Sequence, residues 1–207
     1  MSVIYIVAAL LAAYLVGSVP FGFLIGKCNG VDIRKVGSCN IGATNVTRSV
    51  GKLQGRLCFA CDFLKGFLPA LAAAGVFSSQ PWVVLAVAAA TVCGHMFPVY
   101  LGFKGGKGVS TAAGALLAVT PWAVLFAIVV WVAVFFISRY VSLASIAAAL
   151  ALIAGAWVSQ ICEIGPEISR STVAAVFSTL LGVLAIVRHR ANIVRLLNGT
   201  ENSFSRK

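Results

Sequence analysis

The sequence predicts an all-α, polytopic integral membrane helical bundle of seven transmembrane helices, some of them short, with the N-terminus out and the C-terminus in. Three observations lead there. Hydrophobic residues fill 60% of the 207 positions and charged residues 10%, where soluble domains carry about 25% charged, and the mean hydropathy is +1.01. Apolar runs of roughly one bilayer crossing recur along the chain. The 16 basic residues outnumber the 5 acidic ones, for a formal charge of +11, and they sit between the apolar runs, as in cytoplasmic loops beside anionic headgroups. Membrane lipids, with no nucleic acid, are the partners this charge implies.

The apolar runs fall near 3–26, 57–77, 82–101, 109–137, 142–160 and 172–187. The first has no basic region before it and no small-residue cleavage site after it, so it reads as a retained span. The run 109–137 is long for one crossing and short for two. Charge decides between them: one crossing puts Arg139 and the Arg188-His189-Arg190 cluster on the side opposite Lys35 and Lys104. Two short crossings, broken at Thr120-Pro121, bring Lys27 to Arg56, Lys104, Lys107, Arg139 and the tail Arg188 to Lys207 to one side, the cytoplasm. Only the loop with Glu163, Glu167 and Arg170 then carries charge outside. The six cysteines, Cys28, Cys39, Cys58, Cys61, Cys93 and Cys162, lie mostly in or beside apolar segments and read as reduced thiols. Cys58 and Cys61 form a CxxC at the start of a span, without the surroundings of a redox or zinc site.

Four polar clusters interrupt this chain, all on the cytoplasmic side of that topology. In Leu101-Gly102-Phe103-Lys104-Gly105-Gly106-Lys107-Gly108-Val109-Ser110-Thr111, glycines let backbone N–H groups converge on an anion, while lysines and hydroxyls add charge and hydrogen bonds. A phosphate-bearing ligand fits it; so does a basic loop that only fixes topology. The segment Val36 to Arg48 gathers Ser38, Asn40, Gly42, Thr44, Asn45 and Thr47 before Arg48, which can pair with a phosphate through two parallel bonds. A helix cap and turn would use some of these residues, but two asparagines and an arginine exceed that need. Asp62 and Lys65 stand three apart on one helical face, a pair that a membrane tolerates at a polar cavity or the interface. His95 ends the third apolar run, as a base, a phosphate ligand or a structural hydrogen-bonder. His189 and Asn192 share a helical face with Arg188 and Arg195 nearby, so imidazole, amide and guanidinium are presented together. A basic tail on anionic lipid accounts for the arginines alone.

In order, these segments resemble the bacterial acyl-phosphate:glycerol-3-phosphate acyltransferases of the PlsY type. The resemblance runs through Gly17-Ser18-Val19-Pro20-Phe21-Gly22, Asp32-Ile33-Arg34 and the GSxNIGATNVTR stretch, DxxKG at 62–66, GHMFPVYLGFKGGKGVST at 94–111, SRYVSLASI at 138–146 and HRANIVRLLNGTE at 189–201. Cys39 stands where the family's GSGN has glycine. The resemblance implies one integral membrane acyltransferase domain over 1–207. It would act as a monomer in the bacterial cytoplasmic (inner) membrane with its active site facing the cytoplasm, and without cofactor or metal. Its substrates would be acyl phosphate and glycerol 3-phosphate, and its products lysophosphatidic acid and inorganic phosphate. It implies catalytic roles for Ser38, Asn40, Lys104, His189 and Asn192. Ser38, Asn40, Thr44 and nearby backbone would hold the acyl phosphate, and Arg48, Lys104, His189 and Asn192 the glycerol 3-phosphate. Gly105, Gly106, Lys107, Gly108, Ser110 and Thr111 would enclose the phosphates, with Gly42, Asn45, Lys65, Ser142, Arg195 and Glu201 among the substrate-binding groups.

That chemistry suits these residue types, because an acyl phosphate is already activated and the protein has chiefly to position two anions and stabilise developing charge. His189 or a substrate phosphate can take the hydroxyl proton; an acyl-enzyme on Ser38 is less favoured, since no histidine adjoins it in sequence. A histidine with an acid five positions on, as in thioester-dependent acyltransferases, is absent: His95 has Tyr100 there and His189 has Val194. Metal-dependent phosphotransfer would need more aspartates than Asp32 and Asp62. A phosphate-ester transporter predicts polar groups at the midplane and related halves, and neither is visible.

Overall fold

The computed structural model describes residues 2–204, all helix, turn or irregular chain, with no strand among them; Arg206 and Lys207 of the basic tail lie outside the described residues. The chain forms two compact units that divide between Ala118 and Val119.

The first unit holds α1 (Val3–Ser18), α2 (Phe21–Cys28), α3 (Ala43–Ser49), α4 (Lys52–Val76), α5 (Pro81–Met96), a 3-10 turn (Val99–Leu101) and α6 (Val109–Leu117). The first apolar run is broken at Val19-Pro20, because proline has no N–H to continue the helix. The carbonyl of Val19 accepts instead from Phe21 N at 3.1 Å and from Lys65 Nζ at 2.7 Å. Two helix pairs are set by glycine. Gly17 of α1 lies on the backbone of Thr91, and Gly94 of α5 lies on the carbonyl of Tyr14, so neither position has room for a side chain. Gly66 of α4 meets the carbonyl of Thr111, and Gly114 of α6 meets that of Phe63. Helices in lipid gain little from hiding apolar surface from each other, so close backbone approach through small residues is what holds such pairs. Under α2, α3 and α4 a small core of Ile33, Ile41, Val46 and Cys58 closes the polar segment 29–42 from below.

The second unit holds α7 (Pro121–Ser138), α8 (Val141–Ile161), a 3-10 turn (Glu167–Arg170), α9 (Thr172–Arg188) and α10 (Arg190–Leu197). Arg139, left-handed at φ 63°, ends α7, and Trp131 Nε1 donates to Ser145 Oγ at 3.2 Å, tying α7 to α8. Gly182 of α9 admits Ile153 of α8, and Trp157 Nε1 donates to Thr179 Oγ1 at 3.1 Å. Ser171 caps α9, accepting from Ala174 N at 3.2 Å.

Among the described residues, five helical segments are long and apolar enough to cross a membrane: Val3–Cys28, Lys52–Val76, Pro81–Leu101, Pro121–Ser138 and Val141–Ile161. The pair α9–α10, bent by 55°, makes a sixth if counted as one. The chain is an all-helical integral membrane protein. The run 109–137 does break before Pro121, but into unequal parts of 9 and 18 residues. Pro121 starts α7 at a favoured first position and α7 takes nearly the whole apolar stretch. What remains for α6 is about 14 Å at 1.5 Å per residue, under half of the hydrocarbon core.

Gly17 and Gly75 both lie in or beside lipid-facing helices, yet only Gly17 is packed against backbone, and nothing lies within 4 Å of a Cβ at Gly75. Gly17→Ala is expected to cost about 1–3 kcal/mol by overpacking, and Gly75→Ala to be neutral or stabilising by up to about 1 kcal/mol. Thermal unfolding in detergent distinguishes the two.

Candidate active site

In the first unit the segment between α2 and α3 is organised around the amide of Asn45, which is buried at the start of α3. Its Nδ2, with two hydrogens, is shared among Ile33 O at 2.9 Å, Asn40 O at 2.9 Å and Val36 O at 3.1 Å. Its Oδ1 accepts from Ser38 N at 3.0 Å and Ser49 Oγ at 3.4 Å. The expectation that Asn45 contacts substrate therefore meets a side chain already engaged in holding the segment. Asn40 Oδ1 accepts from Gly42 N at 2.8 Å, closing a tight Asx-type turn. This framework leaves the side chains of Ser38 and Arg48 exposed and that of Thr44 half-buried. Cys39 is left-handed at φ 56°, a conformation that a side chain disfavours and glycine does not. Asp32 accepts from Arg34 Nε at 3.0 Å and Nη2 at 2.9 Å; that side-chain pairing holds its carboxyl down at about 2.

The glycine-rich loop follows α5 and turns back over its end. Gly106 N donates to His95 O at 3.1 Å, the Cβ direction of Gly105 is closed by His95 O, Met96 O and Pro98, and that of Gly106 by the His95 imidazole. Gly108, left-handed at φ 82°, is the N-cap preceding α6 and supplies no side-chain cap. The first N–H groups of α6 have no partner within the helix, so the loop runs into a helix end with the partial positive charge that anions favour. Lys104 is exposed, while Lys107 and Ser110 are half-buried. Thr111 is fully buried, and its hydroxyl has no hydrogen-bond partner among the described residues.

Lys65 is not on the surface of this loop. Its Nζ lies 2.8 Å from Asp62 Oδ1 and the pair is almost fully buried, with His95 Nδ1 3.5 Å from the same oxygen. Direct substrate contact by Lys65 meets a cation already committed to Asp62 and to the Val19 carbonyl.

In the second unit, Ser142, Asn192 and Arg195 converge on one carboxylate. Glu201 Oε1 accepts from Asn192 Nδ2 at 2.7 Å and Ser142 Oγ at 2.9 Å, and Oε2 accepts from Arg195 Nε at 2.7 Å. The chain reaches this point through Gly199, left-handed at φ 67°, with Thr200 N donating back to Arg195 O at 2.8 Å, a glycine stop just past α10. Phe204 N then donates to Arg139 O at 3.0 Å. Burial pushes the Glu201 carboxyl up, but the hydrogen bonds from Asn192, Arg195 and Ser142 outweigh it and hold the group below the usual glutamate range. His189 sits at the bend between α9 and α10, buried, with Nδ1 2.8 Å from Ala185 O. A carbonyl only accepts, so Nδ1 carries the proton, and in the neutral ring Nε2 is the basic nitrogen.

Comparison with known proteins now bears on these groups. The family described as glycerol-3-phosphate acyltransferase matches residues 7–199. The chain belongs to this glycerol-3-phosphate acyltransferase family. A glycerol-3-phosphate acyltransferase of Aquifex aeolicus is 48% identical over 192 residues, 93% of this chain and 95% of that one. Its counterpart in Geobacter sulfurreducens is 43% identical over 194 residues, 93% and 94%. The crystal structure of PlsY, an integral membrane glycerol 3-phosphate acyltransferase, in its glycerol 3-phosphate form superposes with a TM-score of 0.89 at 46% identity, covering 97% of this chain and 96% of that one. The lysophosphatidic acid form gives 0.86 at 45%, with the same coverage. The family membership expected from the motifs is thus established. Of the roles the sequence offers His95, base, phosphate ligand or structural hydrogen-bonder, the structure places its ring buried against the glycine-rich loop and Asp62.

Two measurements test this geometry. Glu201, with its folded value lowered, contributes stability above the ordinary glutamate value of 4.5 that is lost as pH falls through the lowered one. The parent should therefore lose thermal stability on acidification below about pH 4.5 by an increment that Glu201→Gln lacks. Cys39→Gly should raise stability by about 0.5–1 kcal/mol, the relief of left-handed strain less the added freedom of glycine in the unfolded chain.

Proposed function

We propose that this protein transfers a fatty acyl group from acyl phosphate to the 1-hydroxyl of sn-glycerol 3-phosphate, giving lysophosphatidic acid and inorganic phosphate. The observation that carries this reading is the glycine-rich turn of the first unit, which leads into the start of α6 with no side-chain cap on its first N–H groups, beside the exposed Lys104. The glycerol 3-phosphate and lysophosphatidic acid forms of the PlsY neighbour are in keeping with that substrate and product.

In this reading Ser38, Asn40, Thr44 and the backbone of their turn hold the acyl phosphate, and Lys104, Arg48 and the glycine-rich loop take the phosphate of glycerol 3-phosphate. Asn45 and Glu201 act one step back, Asn45 by holding the turn and Glu201 by aiming the Asn192 amide. His189 Nε2 accepts a hydrogen bond from the attacking hydroxyl and orients it. The hydroxyl oxygen forms a bond to the acyl carbonyl carbon, the bond from that carbon to the phosphate oxygen breaks, and the departing phosphate takes up the proton. A good leaving group lowers the demand for a strong protein base. The residues of both units belong to one acyltransferase domain acting as a monomer, a reading supported by a family match that runs across both. The topology counts seven spans, with the short α6 passing only where the bilayer thins or inside the bundle, the N-terminus outside and the polar clusters on the cytoplasmic face of the bacterial inner membrane, a reading supported by the bias of lysine and arginine.

Purified protein in detergent, given a long-chain acyl phosphate, should release phosphate only when glycerol 3-phosphate is also present, in a one-to-one ratio with lysophosphatidic acid and without turnover of acyl-CoA. Lys104→Ala and Asn192→Ala should fold and insert normally and lose about 100-fold or more in turnover. Turnover equal to the parent at equal expression removes the substituted residue from the site.

A further inference from the structure

Three ionisable side chains lie buried beneath the glycine-rich loop: Asp62 and Lys65 of α4 and His95 of α5. None has a part in the reaction just described. A charge inside a membrane helix costs about 2.5–3.5 kcal/mol even on the mildest scale, so a buried acid, base and imidazole call for an explanation beyond packing.

Their connections run in one direction. Lys65 Nζ donates to the Val19 carbonyl at 2.7 Å, in the break between α1 and α2, and pairs with Asp62 Oδ1 at 2.8 Å. Asp62 Oδ1 faces His95 Nδ1 at 3.5 Å, too long for a strong hydrogen bond but close enough to fix the face the ring presents. The opposite edge of the same ring lies where a Cβ of Gly106 would stand, and the carbonyl of His95 accepts from Gly106 N at 3.1 Å. The imidazole is therefore wedged between a carboxylate fixed by Lys65 and the backbone of the loop. A run of glycines has no side chains with which to fix itself and loses more freedom on ordering than any other sequence, so its shape must come from a template.

We propose that His95, set by the Asp62–Lys65 pair, is a positioning residue that holds the glycine-rich loop in its anion-binding shape, and so sets affinity for glycerol 3-phosphate. This rests on the function proposed above. It assigns Lys65 to the support of the loop. If only a fraction of the molecules hold the loop in the competent shape, the apparent dissociation constant rises by the inverse of that fraction, while saturating ligand restores the shape. Loss of the template is then read in KM and spares kcat.

The test compares the parent with His95→Ala, His95→Gln, Gly106→Ala and the His95→Ala/Gly106→Ala double variant. For each, kcat and both KM values, calorimetric binding of glycerol 3-phosphate and thermal unfolding are measured. His95→Ala should raise the KM and the dissociation constant for glycerol 3-phosphate about tenfold or more, leave kcat within about threefold and leave the KM for acyl phosphate unchanged. His95→Gln, which keeps a polar end against the loop, should recover part of that loss and supplies the measurement if the alanine variant does not fold. Gly106→Ala should behave like His95→Ala, and the double variant should be no worse than the worse single, since both break one contact. A fall in kcat at unchanged KM, additive effects in the double variant, or lowered unfolding temperature with unchanged affinity each overturns the proposal. Should the parent bind glycerol 3-phosphate but transfer no acyl group, the acyltransferase reading fails, and the ratio of dissociation constants between parent and His95→Ala still decides the positioning role.

Discussion

The buried pair of Asp62 and Lys65 is the interaction on which the first unit depends. Neither charge can be left alone in the membrane: breaking a buried pair by removing one partner costs about 3–5 kcal/mol, more than replacing both by apolar residues. The pair therefore persists only as a unit, and the second contacts of each member determine what that unit does. Lys65 reaches the Val19 carbonyl, which lies at the break past the end of α1, so the break in the first span is satisfied from inside the unit. Asp62 faces His95, and the loop that follows α5 is laid over that ring. One ion pair thus links an interrupted span, the most buried crossing helix and the segment proposed to hold an anion.

The acidic residues as a group follow the same logic. Of the five in the chain, Asp32 is paired with Arg34, Asp62 with Lys65 and Glu201 with Arg195. The carboxylates are used to fix backbone and to aim other groups, and each of these three neutralises a cation next to it. In the proposed reaction two dianionic substrates would meet these segments, and a free carboxylate near either phosphate would repel it at contact range. Scarcity of acids, visible at once in the composition, is thus part of the chemistry as well as of the topology.

Much of the fold was legible because it follows from length and proline. The helix boundaries near 142–160 and 172–187 and the stop before Pro121 come from apolar runs and from the missing N–H of proline. Pro20 carried the same signal, yet the run 3–26 reads as continuous, since apolar character persists on both sides of the break and only tertiary contact shows how the freed carbonyl is satisfied. The unequal division of 109–137 was equally hidden: Pro121 marks where α7 starts but says nothing of how little is left for α6. Among the polar residues, type and spacing single out segments without distinguishing a side chain that faces outward from one that faces its own backbone. Asn45 and Lys65 are the clearest cases. An amide and an amine suit a phosphate, and both are instead consumed by carbonyls of the chain.

Cys39, where the motif leads one to expect glycine, shows how such a framework tolerates strain. A non-glycine residue in the left-handed region costs about 1–2 kcal/mol, and Cys39 occupies it. On either side of it, Ser38 N donates to Asn45 Oδ1, Cys39 N donates to Val36 O, and Asn45 Nδ2 donates to Asn40 O. At about 1 kcal/mol net for each hydrogen bond, these three together outweigh the strain. Releasing it by rotating Cys39 would leave buried donors and acceptors of Asn45 unsatisfied, at about 1–3 kcal/mol apiece. The buried amide of Asn45, not the identity of residue 39, therefore sets the conformation of the turn that carries Ser38 and Asn40.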